Sequence, residues 1–265
     1  MSEKPYIFDT KGTDIGRQHL SYVETIFDRT STQFLEEIDI KPGQRCLDVG
    51  AGAGSITRWM ADKVGDQGKV VALDKNVGYI EETANIETHE CDVIEGLPVD
   101  GTFDVIHVRL LLMHLPQREA IFKTLVDALA PGGWLVIGDF NGRPQTAIEV
   151  PKESDRKVWE HVMYLSHGVV SPAMGIDFDW ALTVSRHMEE AGLNTIDALE
   201  YSNTVRGGSA GCMMHLNLNM QAEPLLRKHG ATTEEIERYR ELMVDPHFSA
   251  WFYHFILTRG QKPTV

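Results

Sequence analysis

A chain of 265 residues, 42% of them hydrophobic, can bury one large core or a core with an appended cap, which excludes fibrous and disordered classes. Its formal net charge of −14 opposes a phosphate backbone, since affinity for nucleic acid rests on Lys and Arg that displace counterions, so neither nucleic acid nor an acidic membrane is an expected partner. The opening MSEKPYIFDTKG lacks an apolar leader, the most apolar windows are broken by Arg109, His114 or His254, and Cys46, Cys91 and Cys212 have neither CxxC nor finger-like spacing: a cytoplasmic chain with no disulfide framework and no metal site is expected.

In chain order, Thr13 to Ile38 reads as one or two helices. Arg45 to Val49 is a short apolar strand, after which Ser55 can cap a helix with Ile56, Trp59, Met60 and Val64 on one face. Val70 to Leu73 is a second strand, His89 to Val93 a weaker third and FDVIHV at 103–108 a fourth. LPQREAIFKTLVDALA supplies a helix with Ile121, Leu125 and Leu129 in register, closed by PGG at 131–133, and WLVIGDF follows as a fifth strand. Asp177 to Gly192 is a further helix, Thr195 to Val205 an alternating strand, and SAWFYHFILTR a last strand. Strand and helix in alternation predict an α/β fold, a Rossmann-like doubly wound sheet covered by helices on both faces. Two long insertions, 142–176 and 206–248, interrupt the tail.

Between the first strand and its helix runs LDVGAGAGS, at 47–55. Such a turn lets ligand groups approach bare backbone, and the helix N-terminus offers N–H groups to an anion. A dinucleotide fingerprint wants GxGxxG, whereas here the third glycine comes one place early, at Gly54, and Ser55 stands in the fingerprint position. Asp48 precedes the turn; beside a pyrophosphate it would repel, and beside a ligand bearing a sulfonium and an ammonium it would attract. The second strand ends in VVALDKN, with Asp74 about 24 residues beyond Gly50, near the spacing at which an acid meets ribose hydroxyls. The third ends in CDV, where Asp92 could accept from an adenine amino group. Three acids thus stand at the carboxyl ends of three successive strands, the edge where open α/β sheets bind ligands.

Together LDVGAGAGS, VVALDKN, ECDV, FDVIHVRLLLMHL and LAPGGWLVIGDF resemble the class I S-adenosylmethionine-dependent methyltransferases over residues 44–140. The cap segments and the RGGS at 206–209 resemble, more loosely, the bacterial small-molecule branch of natural-product pathways. The resemblance implies a seven-stranded sheet with an antiparallel last strand at 250–259, and a helical cap closing one end of the sheet. It divides the chain into an N-terminal helical cap segment at 1–43, a cofactor-binding core at 44–141, a cap insertion at 142–176, a core continuation at 177–205, a second cap insertion at 206–248, and the last strand and tail at 249–265. By the same resemblance Gly50, Ala51, Gly52 and Gly54 line the methionine end of S-adenosyl-L-methionine, with Asp48 beside them. Asp74 and Lys75 meet the ribose, Asp92 and Val93 flank the adenine, and the backbone at Val108 and Arg109 meets the methionine moiety.

The implied reaction is methyl transfer to O, N or C of a small organic acceptor, with S-adenosyl-L-homocysteine as product, by a monomer or homodimer in bacterial secondary metabolism. The cofactor's methyl is already activated, so the protein need only hold a nucleophile in line, exclude water and, for an alcohol, supply a general base. His114, just after the fourth strand, is the candidate base, with His161, His167 and His215 behind it. Trp159, Met163, Tyr164, Met174 and the stretch CMMHLNLNM at 212–220 suit an adaptable pocket for a flat or greasy acceptor, or simply pack the cap. Arg206 is a candidate contact for a carboxylate of the cofactor or acceptor. Three other readings stay open: a methyltransferase fold performing another reaction such as cyclisation, a protein methyltransferase, and an NAD-dependent oxidoreductase, the last disfavoured by Ser55 and Asp48.

Overall fold

The computed structural model describes residues 13–264, so the opening stretch read above for a leader lies outside the described residues. In chain order the elements begin with helix α1 (Asp14–Glu36), strand β1 (Arg45–Val49), α2 (Ser55–Val64), β2 (Lys69–Asp74), β3 (Ile86–Glu90), β4 (Phe103–Arg109), α3 (Arg118–Asp127) and β5 (Leu129–Phe140). Then come β6 (Thr146–Glu149), α4 (Glu153–Met163), a π-helical stretch Tyr164–Val170 and the single turn α5 (Ser171–Ala173). The chain ends with α6 (Trp180–Glu190), β7 (Asn194–Tyr201), β8 (Thr204–Arg206), α7 (Ala210–Lys228), α8 (Thr233–Val244), β9 (Ser249–Trp251) and β10 (Phe255–Gln261).

The described residues form two compact units, one of residues 27–141, 178–201 and 255–264, the other of residues 13–26, 142–177 and 202–254. The first is a seven-stranded sheet in the order β3-β2-β1-β4-β5-β10-β7. Strands β1 to β5 run parallel, and β10 enters antiparallel between β5 and β7. Parallel strands covered on both faces read as continuous apolar runs, and Cys46, Leu47, Val49, Val70 to Leu73, Val105, Ile106 and Val108 are all buried. The alternation of strands and helices therefore emerges as expected, with the reversed strand at 255–261.

Several boundaries move, for identifiable reasons. The limit of the N-terminal cap segment shifts from 43 to 26, because the second half of α1 belongs with the sheet: Phe27 packs on Phe140 and Phe255 at ring distances of 5.4 and 4.8 Å. β3 ends at Glu90 rather than Val93; the Cys91 N–H still bonds the Asp74 carbonyl, but Asp92 then caps a 3-10 turn. The stretch 249–259 is two strands instead of one. Its first residues join β6 and β8 in a small antiparallel sheet, Phe252 and Tyr253 are buried in the helical unit, and only from Phe255 does the chain enter the large sheet. Thr195 to Val205 divides in the same way into β7 and β8.

The second unit is mostly helical. Arg238 on α8 makes a two-pronged bond to Asp155 on α4, at 2.9 and 2.8 Å, which holds the Asp155 carboxyl below its ordinary range against the opposing effect of burial. Thr232 and Glu235 form a reciprocal capping box at the start of α8. Leu165, Val170, Leu226 and Ile236 build an apolar cluster around these helices. Among the described residues no helix is long and apolar enough to cross a membrane.

Gly138 on β5 shows how tightly the sheet unit is filled: a Cβ there would lie 2.6 Å from Phe255 Cζ and 2.8 Å from Leu257 Cδ2. Gly138→Val is expected to destabilise the protein by roughly 1–3 kcal/mol through overpacking, read as a lowered urea midpoint at unchanged slope.

Candidate functional site at the carboxyl ends of the strands

The turn between β1 and α2 is built from left-handed backbone. Gly50, Gly52 and Gly54 have φ of 71°, 58° and 79°, a region L-side chains rarely adopt. A Cβ at Gly50 would stand 3.1 Å from the Leu111 side chain, and one at Gly54 2.9 Å from Ile80. The N–H groups of Gly50 and Ala51 both donate to the Leu73 carbonyl, at 2.8 and 3.0 Å, fastening the turn to the end of β2. Ser55 does not cap α2. Gly54 occupies that position with no side-chain cap, and the Ser55 hydroxyl donates instead to Asp28 Oδ1 at 3.0 Å.

Asp48 lies under this turn rather than on its open side. It is 2% exposed, its Oδ2 accepts from Thr57 Oγ1 at 2.6 Å, and its Oδ1 meets Nδ1 of His107, the residue beside it in register on β4, at 2.8 Å. It presents no oxygen to a ligand. The expected direct contact is therefore corrected: Asp48 braces β1, β4 and α2 around the turn.

The other two acids sit where β2 and β3 end. Asp74 is half-buried, its Oδ2 accepting from the Gly52 N–H and its Oδ1 from the Asn76 N–H, each at 2.9 Å. Lys75, half-exposed, reaches Asp92 Oδ2 at 2.7 Å, and Asp92 Oδ1 accepts from the Ile94 N–H at 3.1 Å. Burial works to raise the Asp92 carboxyl, but the Lys75 ammonium and the Ile94 amide outweigh it and hold the group ionised below its ordinary range. Val93 is half-buried and opens the 3-10 turn that follows. The structure thus gathers the glycine turn, Asp74, Lys75, Asp92 and Val93 along the carboxyl ends of three adjacent strands.

At the end of β4, Val108 is fully buried, and the Arg109 side chain is occupied: Nη2 lies 2.9 Å from Asp28 Oδ1 and Nη1 donates to Ser31 Oγ at 3.1 Å. One carboxylate on α1 therefore joins the exits of β1 and β4. Asp28 and Ser31 escape sequence reasoning because a polar residue on a helix carries no spacing signal. His114 ends a short 3-10 turn, half-buried, its N–H bonded to the Leu111 carbonyl at 3.0 Å.

The remaining candidates belong to the helical unit. His161 meets Glu235 at 2.8 Å, while His215 stacks on Phe252 at 3.8 Å and lies 3.3 Å from the Tyr239 hydroxyl. Burial lowers the pKa of His167 to about 4 and holds that of His215 well below the ordinary value. Trp159 and Met163 are buried, Met174 packs on the apolar cluster, and Tyr164 is 64% exposed. Arg206 bonds Glu149 at 3.2 Å on the small sheet, so its expected role on a ligand carboxylate is corrected to a strand-to-strand ion pair. The glycines after it are structural: a Cβ at Gly207 would lie 2.0 Å from the Asp245 carbonyl oxygen. Among the described residues no group of three or more His, Cys, Asp or Glu side chains could hold a metal ion.

Removing His107 would leave Asp48 buried with Thr57 as its remaining partner. His107→Leu is expected to cost roughly 2–4 kcal/mol of folding stability, measured by chemical denaturation.

The chain matches a family model described as a methyltransferase domain over residues 19–198, more than half its length. It is 35% identical over 111 residues to methyltransferase str2 of Strobilurus tenacellus, covering 40% of this chain and 39% of that protein. To phosphoethanolamine N-methyltransferase 1 of Arabidopsis thaliana it is 33% identical over 125 residues, covering 44% of this chain and 25% of that protein. The matched stretches span about two fifths or less of these relatives. Among solved structures, phosphoethanolamine N-methyltransferase 2 of Haemonchus contortus in complex with S-adenosyl-L-methionine shares the fold, with TM-score 0.60 at 15% identity, covering 99% of this chain and 60% of that one. With the glycine turn, the strand-end acids and the reversed last strand in place, the chain belongs to the methyltransferase-domain family and has the fold of the class I S-adenosylmethionine-dependent methyltransferases.

Proposed function

We propose that this protein transfers the methyl group of S-adenosyl-L-methionine to O, N or C of a small organic acceptor, releasing S-adenosyl-L-homocysteine. The observation that carries the reading is the set of three left-handed glycines, Gly52 among them tied to Asp74, with Asp92 and Lys75 at the next strand end. The donor set fits such a cofactor: the uncapped start of α2 suits a carboxylate, and the strand-end acids suit hydroxyl and amino donors.

When bound, the cofactor supplies a methyl group already activated by its sulfonium. The chain's own part is positioning. Asp74 accepts from ribose hydroxyls while keeping its bond to the Gly52 amide, so the acid that holds the nucleoside also holds the turn beneath the methionine end. Asp92, kept ionised by Lys75, accepts from the adenine amino group, with Val93 against the ring. Where the acceptor is an alcohol, His114 would take its proton; a phenol, amine or acidic carbon needs less help.

A small-molecule acceptor is supported by the phosphoethanolamine N-methyltransferases to which the chain is similar, whose names specify a small substrate. The net charge of −14 supports the absence of a nucleic-acid partner. A cytoplasmic setting in bacterial secondary metabolism belongs to the same proposal.

Calorimetry with S-adenosyl-L-methionine, S-adenosyl-L-homocysteine and NAD tests the cofactor; binding of the first two is expected, and preference for NAD would overturn the reading. Transfer of labelled methyl to a panel of phenols, amines and carbon acids tests the reaction, and turnover without label would overturn it. Asp74→Ala is expected to weaken cofactor binding by roughly 1–3 kcal/mol, and unchanged affinity would show the ribose site misplaced. His114→Ala is expected to lower kcat on an alcohol acceptor roughly 10²–10⁴-fold with cofactor affinity retained; a wild-type rate would remove it from the mechanism.

A further inference from the structure

The segment leaving β4, Leu110 to His114, is strained and held from two sides. Leu110 has a φ of 52°, a conformation costly for a bulky side chain, and its N–H donates to the Gly138 carbonyl at 2.7 Å. The next residue, Leu111, places its side chain over Gly50, so any drift of this turn disturbs the glycine turn as well. Backbone in such a conformation persists only where its surroundings over-determine it.

Two groups, one buried and one half-buried, supply that determination. Arg118, at the start of α3, donates from Nε to the Leu112 carbonyl at 3.2 Å and from Nη2 to the Met113 carbonyl at 3.3 Å. Opposite it, Asp139 on β5 is 1% exposed, and the backbone amides of Met113 and Leu111, the Arg118 guanidinium and the Trp180 indole of α6 all act on its carboxyl. Burial outweighs their pull and pushes this carboxyl up to about 8, although neither oxygen closes a hydrogen bond of full geometry. One side of the turn thus offers its carbonyls to a planar cation, and the other turns its amides toward an acid. Strands β4 and β5 and helices α3 and α6 converge on five residues.

We propose that Asp139 and Arg118 are positioning residues of the cofactor site, which hold the strained Leu110–His114 turn so that Leu111 stays seated on Gly50. This rests on the cofactor reading above for its effect on binding, but not for its effect on the turn. A core position that merely fills volume would accept a leucine. A position whose oxygens act on the turn's amides would not, yet would accept an asparagine, which keeps the shape and an acceptor oxygen.

The test compares Asp139→Leu, Asp139→Asn and Arg118→Gln with the wild type in the full chain, by hydrogen exchange across residues 109–115 and by calorimetry with S-adenosyl-L-homocysteine. Asp139→Leu and Arg118→Gln should exchange this segment about tenfold faster or more and weaken binding about tenfold, about 1.4 kcal/mol, whereas Asp139→Asn should stay within about threefold on both. Unchanged exchange in Arg118→Gln, or an Asp139→Asn as impaired as Asp139→Leu, would overturn the proposal. Should Asp139→Leu fail to fold, Arg118→Gln decides. A wild-type protein that binds no S-adenosyl-L-homocysteine would sink the cofactor reading, while exchange in 109–115 would still decide this one.

Discussion

The bond from the Gly52 amide to the Asp74 carboxylate is the constraint around which the site is arranged. A turn with left-handed residues at alternate positions has no ladder of its own to hold it, and three of its amides find partners outside it. Leu73 accepts two of them and Asp74 a third, all at the end of one neighbouring strand. Because the turn is shaped by what β2 offers it, the relative position of the two strand ends is set before any ligand arrives, which is the condition for binding without further ordering cost.

Beneath that surface lies a second layer of polar bracing. Asp48, His107 and Thr57 are all buried, and Asp48 joins the other two. Asp28 and Arg109 perform a similar service from α1. The side of the turn away from the ligand is thus stiffened by charge-assisted bonds, and the ligand side is lined by bare backbone and half-buried acids.

Much of this was legible beforehand, because it follows from period and local chemistry. Continuous apolar runs such as VVALD imply strands buried on both faces, and glycines at 50, 52 and 54 imply backbone that other residues avoid. Asp74 and Asp92 were legible for the same reason: an acid directly after an apolar strand lies at its carboxyl end. What escaped reading depends on long-range contact. Nothing around Asp28 distinguishes it from any acid on a helix, and only the folded chain brings it to Ser55 and Arg109. Asp48 was misjudged because neighbourhood along the chain says nothing of which face a strand residue takes once a histidine stands beside it on another strand. The stretch 249–259 reads as one strand because apolar residues run through it without a break, and its division is decided by two different sheets competing for its ends.

The two outer strands of the large sheet, β3 and β7, are its least apolar: IETHE at one edge and NTIDALEY at the other, with Glu87, Glu90, Asp197 and Glu200 among them. An outer strand displays unpaired amides and carbonyls and is a template for joining another copy. Here such joining, through either margin, would bring carboxylates of like sign together on a molecule whose net charge is already −14. That repulsion is screened within about 10 Å at 0.1 M salt, so resistance to end-on stacking into continuous sheets is strongest in dilute buffer and weakens where acid neutralises these margins.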